Sequence, residues 1–166
     1  AGALTWMVIE WVRFGKPSVL GAVTGMVAGL GTITPASGFV GPAGGLVIGI
    51  ISGVVCFYAV QIIKRHYKID DSLDVFPVHG VGGIVGSILT GAFAAKSLGG
   101  LGLDVSIAYQ VGVQALAVFI VVLWSAGFSY LILKLIDKVM GLRVTADEEV
   151  EGLDIVLHEE TGYHNL

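Results

Sequence analysis

The sequence predicts an all-α protein, a polytopic membrane helix bundle. Three observations carry that expectation. Mean hydropathy is +0.87, and only 13% of the 166 residues are charged, whereas a soluble domain carries roughly 25%. Glycine occurs 25 times, a content suited to helices that pack backbone to backbone in lipid. Long apolar runs alternate with short charged or glycine-rich connections, as spans alternate with loops.

The first element, 1–12, is an apolar helix with Trp6 and Trp11 suited to an interface or to packing, and Glu10 near its end. It starts apolar at Ala1, with no signal-peptide pattern ahead of it, and reads as the continuation of a longer chain. Arg13 to Ser18 forms a basic loop whose Pro17 can open the next helix. That helix, 19–34, repeats Gly21, Gly25 and Gly29 at four-residue spacing. It ends at Thr34-Pro35, where proline disfavours helix at Thr34 and leaves its carbonyl and hydroxyl free near a cavity. The third helix, 40–63, repeats Gly41, Gly45, Gly49 and Gly53 and contains Cys56. As the single cysteine, Cys56 excludes an internal disulfide and reads as a small buried hydrophobe. His66, among charged loop residues, reads as solvated.

Asp70, Asp71 and Asp74 lead into the fourth helix, 75–95, where acids can cap the helix and face its dipole. The fifth, 108–140, has at least 27 residues to Lys134, about 40 Å at 1.5 Å per residue, so it tilts or protrudes. The remainder, 143–166, holds one Arg and seven acids and reads as an acidic tail outside the membrane. The connections 13–18, 64–74 and 134–143 carry eight Lys/Arg, and those at 33–40 and 95–107 only Lys96. The imbalance places the first set, and the C-terminal tail, on the cytoplasmic side.

Chemistry concentrates at Asp74-Val75-Phe76-Pro77-Val78-His79-Gly80, which opens a run without charged residues to Ala95. On a regular helix, His79, Gly83, Gly86 and Thr90 fall near one face. An intramembrane ionisable residue marks a function by default; the alternative is a packed histidine bonded to a neighbouring carbonyl. No basic patch with interleaved aromatics points to nucleic acid. No metal cluster or nucleophile–base pair shares a membrane helix face, so an enzyme or a resident cofactor is not expected. His158 and His164, six apart in the tail, are a weak metal signal.

Six motifs in order resemble the family of ammonium transporters, methylammonium permeases and Rhesus proteins, closest to its bacterial ammonium-transporter branch. They are Gly2-Ala3-Leu4-Thr5-Trp6, Gly15-Lys16-Pro17-Ser18, Ile33-Thr34-Pro35-Ala36, Asp74-Val75-Phe76 with Val78-His79-Gly80-Val81, Phe93 to Gly100, and Gly141-Leu142-Arg143-Val144 followed by Glu151-Gly152-Leu153-Asp154. The resemblance implies the last four to five spans of an eleven-helix, inverted-repeat protein in the bacterial inner membrane. It implies ammonium or ammonia as substrate, a homotrimer with one pore per subunit, and two histidines meeting in each apolar pore. His79 matches one of the pair, Thr34 a residue near the pore and Val75 a lining residue one turn away. A tail docked on cytoplasmic loops follows, with Arg143, Asp154 and Tyr163 as its docking residues, and a PII signal protein as a bacterial partner. Two departures stand out: Glu159 where glycine is usual, and Val156 where plant members carry a phosphorylatable threonine. A membrane sensor of ammonium is the rival reading.

Overall fold

The computed structural model describes residues 1–102, 104 and 106–161. Tyr163 and His164 lie outside the described residues. Among those described, the regular structure is helical. The chain divides into two compact units, Ala1–Ile120 and Val121–Leu166.

The first unit opens with α1 (Gly2–Phe14) and α2 (Val19–Ile33). Ser18 caps α2, its hydroxyl accepting the Gly21 amide at 2.8 Å. Pro17 therefore precedes the cap rather than opening the helix. The Glu10 carboxylate ties the two helices together. It accepts from Ser18 N at 2.7 Å, Ser18 Oγ at 3.0 Å and Trp6 Nε1 at 3.2 Å. Higher up, the helices meet through Gly25: a Cβ there would stand 2.5 Å from Trp6 Cβ. Trp6 is buried and packs edge-on against Phe57, while Trp11 and Trp124 are exposed.

Beyond α2 the chain tightens into a 3-10 turn, Thr34–Ala36. Thr34 keeps helical angles (φ −53°, ψ −48°) despite the following proline. Its hydroxyl donates to Leu30 O at 2.7 Å and its carbonyl accepts from Ser37 N at 3.2 Å, so neither group is free as the sequence suggested. The reason is local: Pro35 sits in the first turn of the 3-10 segment, where its missing N–H is not needed.

Helix α3 (Pro42–Gln61) widens at its end into a π turn, Ile62–His66. After the connection, a second π turn, Phe76–Val81, leads directly into α4 (Gly82–Phe93). α5 (Ile107–Val139) extends from the first unit into the second and has no buried side chain. At 33 residues it runs about 50 Å, beyond the ~30 Å hydrocarbon core. Among the described residues, four helical stretches, Val19–Ala36, Pro42–His66, Phe76–Phe93 and Ile107–Val139, are long and apolar enough to cross a membrane.

The second unit continues α5 and adds α6 (Ala146–Glu151) and α7 (Leu153–His158). Thr145 and Glu148 form a reciprocal capping box on α6. The Glu148 carboxyl is held below its ordinary range by the Thr145 backbone N–H, then by its hydroxyl. Glu149 is lowered chiefly by its hydrogen bonds from Arg143, whose Nη2 lies 2.9 Å from Oε2. Glu159 ends α7 with φ +54°, a left-handed conformation. The residue that replaces the usual glycine thus stands where glycine carries no Cβ penalty and other residues cost about 1 kcal/mol.

Candidate functional site

The His79 turn is assembled from both directions along the chain. On its N-terminal side, Asp71 caps the helix: its carboxylate accepts from Val75 N at 2.9 Å and Phe76 N at 2.8 Å. These two amides, Phe76 first, hold the Asp71 carboxyl below the ordinary range. Asp74, read from sequence as another cap, does something else. It takes φ +55° and places Oδ1 2.9 Å from Lys64 Nζ, an electrostatic pair rather than a directed hydrogen bond. Because Lys64 belongs to the π turn that ends α3, the pair ties that turn to the residue two positions ahead of the second π turn.

The sign of the Asp71 cap follows from its lowered carboxyl. A depressed folded-state value means that the stabilisation is complete above the unfolded value and disappears as pH falls through the folded one. Amide exchange at Val75 and Phe76, taken relative to the intrinsic rate at each pH, should therefore be slow at neutral pH and accelerate below the ordinary carboxylate range. In Asp71→Ala it should be fast throughout. Continued protection of both amides in that variant would show that the cap is dispensable.

The π turn changes which residues share a face. Gly82, Gly86 and Thr90 are buried at spacings of four, whereas His79 is exposed. The face expected from a regular helix, running from His79 through Gly83, is thus split. An added residue in one turn rotates His79 away from the small-residue seam. Gly82 and Gly86 instead meet α2 at Thr32: a Cβ on Gly82 would stand 2.8 Å from Thr32 Oγ1, and one on Gly86 2.0 Å from Thr32 O. Gly31, next along α2, lies beside the imidazole, where an added Cβ would be 3.8 Å from His79 Nδ1.

His79 is therefore an exposed imidazole on an apolar span, held by a capped, widened turn and backed by a glycine. Thr34 and Val75 are exposed as well. The Thr34 hydroxyl proton is given to Leu30 O, which leaves the hydroxyl oxygen's lone pairs as acceptors on an exposed residue. A cavity of about 190 Å³ at the other end of α4, lined by residues including Pro35, Phe39, Gln110 and Gln114, does not include His79. In the second unit, Arg143 pairs with Glu149, and the Asp154 carbonyl accepts the Glu160 amide at 3.0 Å. Among the described residues no group of three or more His, Cys, Asp or Glu is placed to hold a metal.

Sequence reasoning missed Thr32 and Ser52. Their hydroxyls are hydrogen-bonded at 2.9 Å and almost wholly buried, directly behind the His79 turn. Ser52 and Cys56 are four apart on one face of α3, the signal that could have revealed them.

The family model described as Ammonium Transporter Family matches residues 1–163. An ammonium transporter of Aquifex aeolicus is 46% identical over 163 residues, covering 98% of this chain and 38% of its own length. One from Bacillus subtilis is 40% identical, covering 99% of this chain and 42% of its own. Among solved structures, a sensor Amt protein superposes with a TM-score of 0.85 at 33% identity, over 95% of this chain and 38% of its own. Mep2 of Saccharomyces cerevisiae gives 0.78 at 37% identity, over 88% and 35%. The chain spans about two fifths of the length of the curated relatives it matches.

Proposed function

The chain belongs to the Ammonium Transporter Family, a family of transporters and not of enzymes, and from that premise we propose that it forms part of a protein that moves ammonium or ammonia across a membrane through a narrow apolar pathway, with His79 as one half of a proton-relaying pair. The observation that carries this reading is the exposed imidazole on a span free of charged residues, fixed by the Asp71-capped π turn.

The physics supports it. Taking a hydrated ammonium ion into a dry apolar passage uncompensated is expensive. Neutral ammonia crosses more cheaply once a proton has been removed. An imidazole that accepts that proton takes on its positive charge, and a second imidazole beside it can share the proton and pass one on, which returns the pair to neutral. Thr34, as an exposed acceptor, and Val75, as an apolar wall one turn from the histidine, are assigned to the same pathway. The assembly is a homotrimer in the bacterial inner membrane with a cytoplasmic C-terminus. Its tail, through Arg143, Asp154 and Tyr163, docks on the cytoplasmic connections, where a PII signal protein binds.

The test is ammonium-evoked current in membranes holding the complete protein. An inward current that rises with ammonium and is absent with sodium is expected. No flux of ammonium or ammonia, together with an ammonium-dependent change in tail protection, would replace transport with sensing.

A further inference from the structure

The buried polar groups behind the histidine turn have a task of their own. Thr32 and Ser52 hydroxyls bond each other at 2.9 Å, with 0% and 1% exposure. One turn along α3, the fully buried Cys56 thiol donates to the Val78 carbonyl at 3.9 Å. Polar groups inside a membrane span persist only when partnered, so their placement says what they hold.

What they hold is the irregular peptide. In a regular α-helix, Gly82 N–H would donate to Val78 O, four residues back. Here it donates to His79 O, three residues back. The Val78 carbonyl is turned toward α3, where Cys56 supplies a donor across the helix interface. That carbonyl belongs to the planar peptide joining Val78 to His79. Its rotation sets the backbone direction from which the imidazole departs. Gly82 lets the turn sit directly on the cluster, since a Cβ there would be 2.8 Å from Thr32 Oγ1 and 3.3 Å from Cys56 Sγ.

We propose that Cys56, seated by Ser52 and Thr32, is a positioning residue for His79, fixing the π turn through the Val78 carbonyl and so setting the environment in which the imidazole exchanges its proton. This rests on the reading of His79 as the proton-bearing group of the pathway. The other titratable groups are few. α2 between Val19 and Ile33 and α4 between Gly82 and Phe93 have none. α3 and its π turn contribute Tyr58, Lys64, Arg65 and His66 besides Cys56, with Lys64 paired to Asp74 before the His79 turn; Asp71 caps that turn.

The experiment follows His79 itself, by the pH titration of its ring resonances in the complete, histidine-labelled protein, assigned by loss of the signal in His79→Gln. Cys56→Ala should move the titration midpoint by about half a pH unit or more, and Cys56→Ser, which keeps a donor, should restore it. The midpoint of the pH–current profile should move in step. An unchanged ring titration in Cys56→Ala overturns the proposal. Should that variant not fold, Ser52→Ala is read in the same way, and an unchanged midpoint there overturns it equally. A shifted titration in a protein that carries no ammonium current would support positioning and reject the transport reading, so the two failures are distinct.

Discussion

Gly86→Ala should strip α4 from α2 and lower the stability of the complete protein by about 3 kcal/mol, the upper end of the usual cost of overpacking. The new methyl carbon would stand 2.0 Å from Thr32 O, 2.9 Å from Thr32 C and 3.1 Å from Thr32 Cα. All three are backbone atoms, so no side chain can swing aside. α4 would have to withdraw by more than an ångström, carrying Gly82 off Thr32 and Cys56. In a bilayer, helix association relies on close packing rather than on hydrophobic burial from water, and withdrawal forfeits the contact that holds the pair. Gly83→Ala is the matched control. Among the described residues, nothing beyond its chain neighbours and its own helix backbone lies within 4 Å of a Cβ at Gly83, and alanine is the better helix former by about 1 kcal/mol. Thermal unfolding of the purified protein should show a clear loss for Gly86→Ala and none for Gly83→Ala. Equal melting of the two variants would mean that the α2–α4 seam is not rigid.

The same seam shows what could be read from the residues alone. Composition and glycine spacing were enough for an all-helical membrane bundle, because apolar length and small-residue repeats are one-dimensional signals. The candidate histidine was visible for the same reason, as a lone ionisable group in a long uncharged run. Its facing was not. A π turn adds a residue to one turn, and regular-helix projection from His79 then lands on Gly83 instead of on the buried Gly82, and wrongly joins the histidine to the Gly86–Thr90 face. The divergent roles of Asp71 and Asp74 were hidden too. Both acids suit a helix start, and only the left-handed backbone at Asp74 and the approach of Lys64 separate cap from ion pair. Thr34 looked free because proline ordinarily excludes helical angles before it. The 3-10 turn accommodates them and closes the hydroxyl onto Leu30. Thr32 and Ser52 are unremarkable in an apolar sequence until two helices bring them together.

His79→Ala should reduce ammonium-evoked current by about 100-fold, the low end of what a positioned acid–base group contributes, with the protein folded in wild-type amount. Two features separate this from a packing defect. The imidazole is exposed rather than part of the core formed by Trp6, Ala28, Cys56, Phe57, Val60 and Val78, so its removal leaves no internal cavity. The turn that carries it is fixed by Asp71, by the Lys64–Asp74 pair and by the Val78 carbonyl, none of which involves the ring. Melting temperature should accordingly stay close to wild type while conduction fails, the reverse of the pattern expected for Gly86→Ala, where stability falls first. Acidic replacements add a second reading. His79→Asp or His79→Glu puts a fixed negative charge in place of a group that can stay neutral, and that charge offsets the cost of a bare cation in the passage. Those variants should admit potassium, seen as a shifted reversal potential in mixed potassium and ammonium solutions. Wild-type current in His79→Ala would return the histidine to a passive role. An unshifted reversal potential in the acidic variants would leave the proton relay standing and place cation exclusion elsewhere on the pathway.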